Sequence, residues 1–134
     1  MNSNHVSSNL PSKFGNYVIA SAQAVPINVA SNIAATMSVV GTSYIVRRVT
    51  VSNANATAAT ANVSIILTND GATANAVFAK TKLANIVSTT TYQDISPVAN
   101  AASNVYSSGA LFLKVEDPVN ATVDITVYGD IVNL

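Results

Sequence analysis

Residues 44–53 read Tyr-Ile-Val-Arg-Arg-Val-Thr-Val-Ser-Asn. Ten residues dominated by β-branched and aromatic side chains, following Gly41-Thr42-Ser43, have the length and alternation of a strand rather than the 3.6-residue period of a helix. Strict alternation places Ile45, Arg47, Val49 and Val51 on one face and Tyr44, Val46, Arg48 and Thr50 on the other, so both faces are partly covered. Outward from this stretch the chain repeats the pattern. Short apolar clusters at 17–20, 25–29, 36–40, 63–68 and 92–95 are each strand-sized, with Pro26 inside the second. Asn69-Asp70-Gly71 predicts a tight reversal after the 63–68 strand. Residues 110–115 and 122–128 read as a hairpin around Glu116-Asp117-Pro118-Val119-Asn120, with Val123, Ile125 and Val127 facing a core and Asp124, Thr126 and Tyr128 facing away. Residues 72–91 fit either a short helix or edge strands.

Composition agrees with the pattern. Val, Ile and Thr number 19, 10 and 13, against 17 for Leu, Met, Glu, Gln, Lys and Arg together, which favours strands. The 21 alanines are interleaved with 16 Asn and 15 Ser, whose side chains compete with helical hydrogen bonding. The expectation is an all-β fold, an antiparallel β-sandwich of jelly-roll type with about eight short strands. A length of 134 residues suits one such domain, at 17–134. Residues 1–16, rich in Asn and Ser and without periodicity, read as a polar N-terminal arm whose Val6, Leu10 and Phe14 are candidates for contact with a neighbouring subunit.

Charge narrows the function. Six basic and six acidic residues give a net charge of zero and a charged fraction of 9%, against about 25% in ordinary proteins. A neutral chain has no electrostatic footprint for nucleic acid or an anionic membrane, and no run approaches the ~20 apolar residues of a membrane-spanning helix. With no Cys and His5 as the lone His, disulfide, Cys/His metal and Ser-His chemistries lose their residues. No catalytic residue, cofactor or metal ligand is expected. Asp70, Asp117 and Asp130 are explained by turns and strand ends, a carboxylate pair for glycoside hydrolysis is a remote reading, and Glu116 and Asp117 offer only a weak case for calcium. Three N-glycosylation sequons, beginning at Asn55, Asn62 and Asn120, follow from the abundance of Asn, Ser and Thr. No secretory signal is visible, which makes cytoplasmic synthesis the default.

Arg47 and Arg48, as strand neighbours, are expected on opposite faces. Arg47, among apolar neighbours, calls for a carboxylate from another strand or from across a subunit interface. A surface of Ala, Ser, Thr and Asn is short-chained and low in side-chain entropy, so it can be ordered against a neighbour at small cost.

Residues 44–54, Leu111-Phe112-Leu113 and the closing Ala121-Thr122-Val123-Asp124-Ile125-Thr126-Val127-Tyr128-Gly129-Asp130 resemble segments of the small decoration, or cement, proteins of tailed-bacteriophage heads. The resemblance spans roughly residues 44–130 and leaves the first 43 unmatched. It implies a β-sandwich subunit without catalysis, made in the host bacterial cytoplasm and placed on the outer surface of the capsid. There it would bridge copies of the major capsid protein as a homo-oligomer, a trimer first and a dimer second; the candidate contacts, Arg47, Arg48 and the arm's Val6, Leu10 and Phe14, come from the residues themselves and not from the resemblance. Two alternatives stand beside it: a tail- or fibre-associated virion protein, and a carbohydrate-binding or adhesin-like module. The second is disfavoured by the absence of Trp and a count of only five Tyr.

Overall fold

Eight strands account for nearly all the regular structure in a computed structural model that describes residues 17–132. They are β1 (Tyr17–Pro26), β2 (Ser31–Ser38), β3 (Tyr44–Ser52), β4 (Asn62–Ile66), β5 (Ala76–Lys82), β6 (Tyr92–Ile95), β7 (Ala110–Glu116) and β8 (Thr122–Ile131), with single 3-10 turns at Thr73–Asn75 and Ala101–Ser103. One antiparallel sheet has the order β1-β8-β3-β6 and the other β2-β7-β4-β5. The chain is therefore an all-β sandwich of jelly-roll topology: β1 pairs with β8, β2 with β7, β3 with β6 and β4 with β5, as if one long hairpin had been rolled up.

The roll corrects the expected hairpin at 110–128. β7 and β8 are both present, but they lie in different sheets, because every connection except β4–β5 crosses the sandwich. The intervening turn, with Asp117 at φ 51°, carries the chain over to the end of β1. There Val119 N donates to Ile27 O and Ile27 N to Ala121 O, both at 3.0 Å. The one-sided alternation of β8 is as expected: Val123, Ile125 and Val127 are buried, and Asp124, Thr126 and Tyr128 are half-buried on the other side.

Other boundaries moved for local reasons. The clusters at 17–20 and 25–29 join as the single strand β1, with Pro26 as its last residue and irregularities between Val18 and Ala20 and between Ala22 and Val25. At the second, Ala24 takes φ 51° and its N–H donates to Asp124 Oδ1 at 2.8 Å, so the side chain supplies what the ladder does not. β2 begins five residues before the expected 36–40 cluster. Residues 72–91 contain β5 and no α-helix. The expected tight reversal at Asn69–Gly71 is instead part of a longer loop, 67–75, which folds back over the outer side of the second sheet. Lys114 Nζ donates to Gly71 O at 3.1 Å and Asn32 Nδ2 to Asp70 O at 3.3 Å. Ser64 and Ile66, which point to that side, are buried as a result. Within the loop Asp70 Oδ1 accepts from Thr68 Oγ1 and Ala72 N; the Thr68 hydroxyl first and the amide second hold its carboxyl below the usual carboxylate range.

Between the sheets lies one core that includes Ile19, Tyr44, Val46, Val49, Ile65, Phe78, Leu113 and Ile125. Tyr44 is wholly buried and its ring lies 6.0 Å from that of Tyr106. The nearby Ser108 hydroxyl donates to Ala110 O at 2.7 Å, and Tyr44 Oη is left without a hydrogen bond of standard geometry. Burial pushes this phenol up from 10.0 to about 12, an effect that Ser108 offsets only in part. The raised value favours the folded state fully below pH 10, and that contribution is lost as pH rises toward 12, where the unfolded chain ionises first. Tyr44→Phe is expected to hold or raise stability at neutral pH by up to about 1 kcal/mol and to move the alkaline unfolding midpoint upward. Urea titrations at pH 8 and pH 11 measure both, and a destabilised variant at pH 8 would contradict the assignment.

Candidate functional site

Among the described residues, the outer face of the first sheet is left more open than that of the second, part of which loop 67–75 covers, and its centre is the β3–β8 ribbon. Val46 pairs with Gly129 and Arg48 with Tyr128, so β3 uses two residues where β8 uses one. Arg47 is the extra residue of a β-bulge. The bulge shifts the alternation of β3 by one: Tyr44 and Val46 face the core before it, and Val49 and Val51 after it. The expected grouping of Ile45 and Arg47 with Val49 and Val51 is thus corrected. The signal was present in the sequence, because the buried valines change parity between positions 46 and 49 on either side of the Arg pair.

The same bulge corrects the expectation that Arg47 and Arg48 point to opposite faces. Both are half-buried on the outer side, where Arg47 Nε donates to Asp130 Oδ2 at 2.9 Å and the Arg48 guanidinium lies 4.1 Å above the centre of the Tyr128 ring. Asp130 is the carboxylate of another strand anticipated for Arg47. Tyr128 and Asp130 flank Gly129, whose place admits no side chain: a Cβ there would lie 1.9 Å from Ile45 O. Glycine lets the two backbones close up, and that approach sets the Arg and Tyr/Asp side chains against one another. Sequence reasoning named both arginines but missed Tyr128, Gly129 and Asp130 as their counterparts, because residues 80 positions apart meet only through the roll.

Around this centre the face is polar and short. Thr50 Oγ1 donates to Asp94 Oδ1 at 2.6 Å, and Asn53 Nδ2, from a residue at φ 55°, donates to Asp124 Oδ2 at 3.0 Å. Tyr92, opposite Ser52, is the most exposed aromatic described. Elsewhere Asp117 accepts from Asn62 at 2.8 Å, and Lys80 lies 3.6 Å from Glu116. Each of the six carboxylates therefore has a neighbour that restrains it. Among the described residues no three Asp, Glu or His side chains gather as metal ligands. The core holds a void of about 10 Å³ between Val49, Ile65, Phe78 and Ile125, room for no more than one water. Such a surface offers extended contact through many small groups. The candidate contacts Val6, Leu10 and Phe14 lie outside the described residues.

No protein-family model, curated protein or solved structure matches this chain.

Removing the Arg47 guanidinium takes one ion-pair contact from the largely buried Asp130 carboxylate, 14% exposed. Arg47→Ala is expected to cost about 1–2 kcal/mol, read as a lower urea midpoint, and the double variant Arg47→Ala/Asp130→Ala to cost less than the sum of the two single changes. Additive costs would show that the pair is not coupled.

Proposed function

We propose that this protein is a structural component of a virion: a decoration or cement protein that binds the outer surface of a tailed-phage head and bridges major capsid proteins. The observation that carries the reading is the convergence of its two most characteristic segments. Residues 44–54 and 121–130, which resemble the decoration proteins, lie side by side as β3 and β8 and meet through Arg47–Asp130 and Arg48–Tyr128. The surface chemistry supports it as well. A shell-binding subunit gains affinity from modest contacts repeated by symmetry, and a face on which Arg47, Arg48, Asp94, Asp124 and Asp130 are each held by a neighbouring side chain among short Thr, Ser and Asn groups can be ordered against a lattice at small entropic cost. In this role the protein acts by adding contacts across seams of the shell, as a homo-oligomer and without chemistry.

The test is add-back to heads that lack the protein. Purified chain is mixed with such heads, bound copies are counted after sedimentation, and release of DNA on heating or osmotic shock is followed. Saturable binding with raised resistance is the expected result. Absence of binding, or recovery of the protein with isolated tails or fibres, overturns the head assignment.

A further inference from the structure

The sandwich has four edge strands, and they differ in one respect. On one side are β5, which carries the exposed Lys80 and Lys82, and the four-residue β6, which carries the exposed Asp94. Charge and shortness are ordinary protections against edge-to-edge pairing. On the other side are β1 and β2, and from residue 14 to residue 46 the chain contains no Asp, Glu, Lys, Arg or His. Of the eight exposed large apolar residues among those described, five, Tyr17, Val18, Val29, Ile33 and Val40, fall in this stretch.

The two uncharged edges are not equally open. β1 is broken by two irregularities, ends in Pro26, and has its Ile19 carbonyl taken by Val40 N at 2.9 Å. β2 bulges between Ser31 and Ala35 but then runs regularly through Ala35, Thr36, Met37 and Ser38 against β7. Among the described residues β7 is the only strand paired with it.

We infer that the free edge of β2 is a homotypic interface, where β2 of a second copy of this chain pairs antiparallel about a two-fold axis. Open main-chain donors and acceptors along a strand call for another strand. An antiparallel pair of identical strands satisfies both edges with one contact, and a two-fold contact closes on itself rather than growing into a filament. The chain's net charge of zero sets no long-range repulsion between copies. Because Val39 N donates to Gly109 O in the β2–β7 ladder, the N–H and C=O groups of Thr36 and Ser38 point to the open edge, and a register with Thr36 opposite Ser38 of the second copy pairs these groups while keeping side chains of the same face opposite one another. The two four-stranded β2-β7-β4-β5 sheets then become one eight-stranded sheet. The inference deepens the self-association in the proposed function and names a dimer contact within it.

Size-exclusion chromatography with light scattering on the full chain tests it, without heads. The wild type is expected at about twice 13.8 kDa. Thr36→Lys, and separately Ser38→Lys, are expected to weaken the dimer at least tenfold and to elute as monomers with unchanged circular dichroism, whereas Ala79→Lys on β5 and Thr36→Ser leave the dimer intact. A monomeric wild type, or a dimer indifferent to both lysines, overturns the inference. So does a dimer that dissociates when Val6, Leu10 and Phe14 are changed to Ser but ignores Thr36→Lys, since the arm would then be the contact. Head binding is scored separately: a wild-type dimer that does not bind heads defeats decoration and leaves the β2 contact standing, and a wild-type monomer that binds them does the reverse.

Discussion

Gly129→Ala is expected to destabilise the protein by at least about 3 kcal/mol, and to leave much of it unfolded at 37 °C if the parent is only ordinarily stable. The added Cβ would sit 1.9 Å from Ile45 O and 3.2 Å from Val46 Cα. Both are main-chain atoms of the neighbouring strand, so no side-chain rotation can make room. Relief requires β3 and β8 to part at the Arg47 bulge, where Val46 pairs with Gly129, and these are the two central strands of their sheet. Gly109→Ala supplies the comparison: a Cβ there meets nothing within 4 Å, and a small gain through a less flexible unfolded chain is expected. Thermal unfolding of the two variants should differ by on the order of 10 °C or more. Equal stabilities would mean that the close approach at Gly129 does not exist.

Ile125→Ala is expected to cost about 3–4 kcal/mol. Ile125 is fully buried at the middle of β8, opposite Ala22 on one side and Val51 on the other. Its side chain already borders the small core void, so truncation enlarges an existing gap that flanking strands held in two ladders cannot close. The adjacent Thr126 projects to the outer face and is half-buried, and Thr126→Ala is expected within about 0.5 kcal/mol of the parent. Chemical denaturation with an unchanged slope would assign the difference to the native core. Comparable costs at 125 and 126 would contradict the one-sided burial of β8.

The strands themselves were legible wherever alternation was uninterrupted. β8 shows this best, since Val123, Ile125 and Val127 could be assigned to the core from spacing alone. β3 shows the limit: one extra residue at Arg47 inverts the pattern, and only the partner strand reveals it. Similarly, the Pro and Asn after β7 mark a turn in either a hairpin or a crossing between sheets, because local turn chemistry is the same for both. Ile66 illustrates a further limit. It points away from the core and is buried by a loop whose path depends on Asn32 and Lys114, residues distant in sequence.

By itself the sequence determined the fold class, the approximate places of every strand but β5, and the low overall charge, because β-propensity, alternation and composition act within a few residues. The tertiary structure decided which strands are neighbours, which outer face the described residues leave more open, and that Arg47 and Arg48 share a face with Tyr128 and Asp130. Those outcomes depend on contacts between segments tens of residues apart, which form only when both halves of the rolled hairpin bury their apolar faces against each other.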